Sequence, residues 1–131
     1  ARIGVPEVRV GAFPAAGGVQ KLHRLIGRGK ALELILLGRQ IMAAEADRLG
    51  LAYAVVEPAD LPAAALALAG EVLRGGRLAI AQAKANIYLS ENVDLKSARD
   101  FGIESLTVLA ASTDWAEGMA AFVEKRKPRF D

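Results

Sequence analysis

Residues 2–18 read RIGVPEVRVGAFPAAGG and set one acidic side chain, Glu7, between valines in a stretch otherwise apolar, basic or punctuated by Gly and Pro. The opening ARIGVPEVRV alternates in the manner of an extended strand, and FPAAGG is a loop by its Pro and paired Gly. Glu7 then has two readings. On alternation alone it is an exposed strand residue facing water, the commoner arrangement. In the other, Val5, Pro6, Val8 and Val10 strip it of solvation, which favours the neutral acid and suits it to passing a proton.

Downstream of the loop, Val19, Leu22 and Ile26 recur at helical spacing until Gly27 offers a C-terminal stop. A second helix is expected over Lys30–Leu37, ended by Gly38, and a third over Ala43–Leu49, ended by Gly50. LAYAVVEP, residues 51–58, is short, rich in Val and Tyr and closed by Pro58, which marks it as a strand. Asp60 reads as the N-cap of a helix with Pro62 in its first turn and Leu66, Ala69, Val72 and Leu73 on one face. Ile80, Ala83 and Ile87 mark the next helix, and Ala98, Gly102, Leu106 and Leu109 the one after Asp94. In DWAE, Asp114 is placed to cap a last helix striped by Trp115, Met119, Phe122 and Val123. The pattern predicts two short strands and about seven helices. Two short strands make no independent sheet, so the helices' apolar faces call for cover from outside this chain.

The 131 residues are enough for one ordinary domain or part of a larger one. Apolar residues make up 53% and charged ones 24%, a globular composition rather than a disordered one. A formal charge of +2 sets up no broad field for nucleic acid or a membrane surface. With no cysteine, thiolate nucleophiles, disulfides and Cys-based zinc sites are excluded. The longest unbroken apolar run, Ala63–Ala69, is seven residues, too short to span a bilayer. The expectation is a soluble, cytoplasmic protein. It begins without a methionine or a charged targeting segment, as a chain joined in the middle does.

Most catalytic constellations are missing. His23 is the single histidine and lies in the basic run QKLHR, where a solvated helix residue is favoured over a base. No carboxylates or histidines stand at metal-ligand spacing on one face, so no metal is expected. PAAGGVQK sets glycines before a helix but lacks the Gly-Lys-Ser/Thr ending of a phosphate loop, and reads as a tight turn.

The run GVPEVRVGAFPAAGGVQKLHRLIGRGKALELILLGRQIMAAEADRLGLAYAVVEPADL, residues 4–61, resembles the second half of the enoyl-CoA hydratases and isomerases of the crotonase superfamily. Its Pro-Glu pair, its Pro-x-x-Gly-Gly, the ALEL helix, the Gly-Arg pair and the VV-x-P segment follow that pattern in order. DWAEGMAAFVEKRKPRF, residues 114–130, is similar to the family's terminal motif. Leu37 departs from it, standing where a Thr often precedes Gly-Arg.

The resemblance implies an α/β crotonase-like (ClpP/crotonase) spiral fold. Residues 1–58 would be the end of its β-β-α core, and residues 59–131 a helical region that assembles trimers or hexamers. It implies an acyl-CoA substrate with no separate cofactor and no metal, and no nucleic-acid or membrane partner. It makes Glu7 a catalytic glutamate that exchanges a proton as water adds across the 2,3 double bond. Pro6, Gly11, Phe122 and Lys125 match substrate-binding positions, the last two reaching CoA in a neighbouring subunit. The run Lys125, Arg126, Lys127, Arg129 is then a CoA-facing patch or a solvated tail, and a nucleic-acid tail, the third reading, is disfavoured by the lack of interleaved aromatics and of overall charge. A double-bond isomerase would use a glutamate at the same position, and a non-catalytic trimerisation module is the reading outside enzymology. The oxyanion donors and partner glutamate of the family lie upstream, so the 131 residues alone are expected to be inactive.

Overall fold

The computed structural model describes residues 1–130 and divides the chain into two compact units, the first ending at Leu61 and the second starting at Pro62. In the first unit, β1 (Arg2–Gly4) pairs antiparallel with β2 (Gln40–Met42), matching Arg2 with Met42, Ile3 with Ile41 and Gly4 with Gln40. The opening strand is shorter than the alternation predicts. Pro6 has no N–H for a ladder, and the chain enters a 3-10 helix, Pro6–Val10, with Pro at its start. Val5 and Val8, three residues apart, share a side in a three-residue turn and are half-buried, whereas Val10 is 82% exposed. Glu7 therefore sits on a helical turn rather than on a strand.

Next come α1 (Gly18–Ile26), α2 (Arg28–Leu36) and α3 (Ala43–Arg48). Leu34, Ile41 and Ala46 form the core here, with Val5, Leu22, Ile26, Leu49, Leu51 and Ala52 packed on it. The helix stops read from glycine hold: Gly38 and Gly50 adopt left-handed φ of +55° and +74°. An ionic lattice ties this unit's elements together. The Lys30 ammonium lies 3.0 Å from Glu45 and 3.1 Å from Glu33, and Glu33 also accepts from Arg39. The carboxylates of Glu45 and Glu33 raise the Lys30 affinity for its proton, and Lys30 in turn holds Glu33 below the usual carboxylate range.

LAYAVVEP is not a strand. Leu51 and Ala52 pack on the core while Tyr53–Glu57 are exposed. Among the described residues the sheet has only β1 and β2. Val and Tyr fit a pleated surface, but a strand also needs a neighbour to pair with.

The second unit is helical: α4 (Leu61–Val72, its first residue belonging to the first unit), α5 (Arg77–Ser90), α6 (Leu95–Ala110) and α7 (Thr113–Val123). Asp94, after which the sequence places this helix, caps α6, its carboxylate accepting from the Ser97 N–H at 3.0 Å. Asp114 does not cap α7; Ser112 does, accepting from the Trp115 N–H, and Asp114 lies in the first turn at the positive end of the helix. α5 and α6 are joined by a polar contact in which Asn86 donates to the buried hydroxyl of Ser105 at 2.9 Å and to the Gln82 carbonyl. No helix among the described residues is long and apolar enough to cross a membrane.

Candidate active site

Pro6, Glu7 and Gly11 come together on the 3-10 turn. Pro6 is exposed at its start, and Gly11 closes it at φ +75° with its N–H on the Val8 carbonyl. Glu7 is half-buried, and its Oε2 is fully shielded without a hydrogen-bond partner. A shielded polar oxygen left unpaired costs on the order of 1–3 kcal/mol, so native structures keep few of them, often where chemistry uses them. The solvent-facing alternative is excluded for that oxygen.

Phe122 and Lys125 lie in the second unit, at the end of α7. Phe122 is 80% exposed. Lys125 is the single non-glycine residue with positive φ among those described, at +53°. It occupies the left-handed position of a Schellman turn, with its own N–H on the Phe122 carbonyl and the Arg126 N–H on the Ala121 carbonyl at 3.0 Å.

The basic run is not uniformly solvated. Arg126 forks onto Glu117 at 2.6 and 2.9 Å and also reaches Glu124, while the Arg129 N–H donates to Glu117 at 2.7 Å. Arg126 first, and the Arg129 amide second, hold the Glu117 carboxyl down to about 2. Sequence reading missed this clamp, although an acid nine residues before an arginine across a helix end was the available signal. Leu73, Arg74 and residues 127–130 line a groove beside it. His23 is exposed and its Nδ1 bonds the Val19 carbonyl within its own helix.

The sequence profile of the enoyl-CoA hydratase/isomerase family matches residues 1–131. The chain belongs to that family. It is 38% identical over 130 residues to crotonyl-CoA hydratase of Syntrophomonas wolfei, covering 99% of this chain and 50% of that protein. It is 41% identical to a probable enoyl-CoA hydratase of Rhizobium meliloti, covering 99% of this chain and 51% of the other. Among solved structures, an enoyl-CoA hydratase subunit of Geobacillus kaustophilus superposes with a TM-score of 0.96 at 40% identity, over 100% of this chain and 51% of that one. The Bacillus anthracis enoyl-CoA hydratase gives 0.93 at 37% identity, over 99% and 50%. The architecture is that of the crotonase fold, here mostly helical with two strands. This enoyl-CoA hydratase/isomerase family chain spans about half the length of the curated relatives it matches.

Proposed function

We propose that this chain is the second half of an enoyl-CoA hydratase, with Glu7 as one of two carboxylates that move protons as water adds across the 2,3 double bond of an acyl-CoA thioester. The supporting observation is the shielded, unpaired Oε2 of Glu7 at the end of a strand-to-turn transition. The water oxygen bonds to C3, one of its protons leaves to a carboxylate, and C2 takes up a proton. Charge gathers meanwhile on the thioester oxygen. Fixed N–H donors aimed at that oxygen supply several kcal/mol in a water-poor site, and in this reading they belong to polypeptide upstream of Ala1. Pro6 and Gly11 shape the acyl side of the pocket. Phe122 and Lys125 serve the CoA moiety of a neighbouring copy in a trimer or hexamer, an exposed ring and cation suited to adenine and phosphate.

The test is hydration of crotonyl-CoA by the complete polypeptide carrying these residues. Glu7→Gln is expected to lower kcat by roughly 10²- to 10⁴-fold, the usual worth of positioned proton transfer. The 131 residues alone are expected to show no turnover. An unchanged rate in the variant overturns the role of Glu7. Turnover of a 3-enoyl-CoA without hydration assigns the isomerase reaction instead.

A further inference from the structure

We propose that Arg9 is a positioning residue for the Glu7 carboxylate, fastening the Glu7 turn to the open carbonyl end of α2. The inference rests on the reading of Glu7 as the proton-transfer group.

The turn cannot hold its own geometry. It is five residues of 3-10 helix with none fully buried, no side-chain cap at Val5, and a Pro that donates nothing. Its exit is closed by the Gly11 N–H on the Val8 carbonyl at 3.3 Å and the Ala12 N–H on the Glu7 carbonyl at 3.0 Å. Proton transfer tolerates displacements of only a fraction of an ångström. External anchors must therefore fix it, and the structure supplies one on each side.

Upstream, β1 is pinned to β2, and Gly4 permits the approach: a Cβ there would stand 2.7 Å from the Arg39 carbonyl oxygen. Downstream, Arg9 Nη2 donates to the Leu37 carbonyl at 3.2 Å, across 28 residues of sequence. That carbonyl is free for a reason. α2 ends in a Schellman turn whose bonds, Arg39 N–H to Leu34 and Gly38 N–H to Ile35, use the two earlier carbonyls and leave that of the capping residue Leu37. A guanidinium also suits the negative end of a helix. The Arg9 stem lies across the buried Gly38, where a Cβ would come 2.9 Å from Nε and 3.0 Å from Cγ. Gly38 thus does two things at once: it takes the left-handed turn into β2, and it leaves the bed in which Arg9 rests. Arg9 directs its hydrogen bond to a backbone carbonyl and not to the carboxylate two residues before it, so its influence on Glu7 passes through the turn.

The experiment compares wild type, Arg9→Ala and Arg9→Lys, each also with Glu7→Gln, in the complete polypeptide. Two quantities are read: hydrogen exchange of peptides covering residues 5–13, and kcat and KM for crotonyl-CoA. Arg9→Ala is expected to speed exchange in that segment and to lower kcat, each by about tenfold, with a smaller rise in KM, because of the proposed substrate contacts only Pro6 and Gly11 ride on that turn. Arg9→Lys, which still reaches with a cation, recovers part of both. In the Glu7→Gln background Arg9→Ala has no further effect on rate. Unchanged exchange in Arg9→Ala overturns the proposal, as does faster exchange at wild-type kcat, or an equal further loss on top of Glu7→Gln. If wild type hydrates nothing, the hydratase reading fails by itself, and the exchange of residues 5–13 alone decides whether Arg9 holds the turn.

Discussion

Lys125 holds a backbone conformation that an L side chain enters at a cost of about 1 kcal/mol or more, in a Schellman turn whose usual occupant is glycine. Placing a lysine there makes sense if its ammonium is wanted at that point, since strain of this kind persists where function requires it. Lys125→Gly should therefore raise the chain's stability by up to about 1 kcal/mol, seen as a higher urea midpoint. The same variant should raise the KM for acyl-CoA in the complete polypeptide. A lower midpoint would show that the lysine stabilises the turn in some other way. Residue identities at this scale were partly legible. Glu7, Phe122 and Lys125 were singled out by motif. The strain at Lys125 and the reach of Arg9 across 28 residues depend on tertiary geometry that no local pattern encodes.

At the scale of elements, the glycine stops and the number of helices were readable, because helical periodicity and left-handed C-termini are local properties. The strands were not. Alternating valines gave a three-residue strand and a 3-10 turn, and LAYAVVEP, apolar enough for a sheet, pairs with nothing among the described residues. The clamp at the end of α7 is an element-scale feature with its own test. Glu117 is held at about 2 by Arg126 and by the Arg129 amide, below the ordinary carboxylate value of 4.5. A carboxylate with a depressed folded value contributes stability that is fully present above its unfolded value and is lost as pH falls through the folded one. The urea midpoint of wild type should thus exceed that of Arg126→Gln by a constant margin above about pH 5, and the margin should close between about 4.5 and 2. Circular dichroism across that range measures it. A margin independent of pH would mean that Arg126 acts through packing alone.

For the whole molecule the decisive quantity is surface. The described chain exposes 9930 Å², whereas two separate compact bodies of half its mass each would expose only about 8000 Å² together. The excess thus arises within the units, however they are placed. It is apolar in large part: α4 has Glu71 as its single charged residue and is otherwise apolar or Gly, close to the pattern of a buried helix, yet none of its residues is buried, with Leu66 at 74% and neighbouring Leu73 at 77% exposure. Monomeric proteins seldom leave so much apolar surface open. Since the chain spans about half of its relatives, the proposed second-half reading offers two covers, the rest of such a polypeptide or further copies of this one. In the isolated 131-residue chain only the second is available. Sedimentation velocity should therefore show association that grows with concentration, and Leu66→Glu together with Leu73→Glu should shift the boundary toward monomer with helix content unchanged, because both side chains already face outward. A sharp monomer boundary for wild type at high concentration would mean that the exposed helix face is tolerated in water, and that neither another copy nor another segment is needed to cover it.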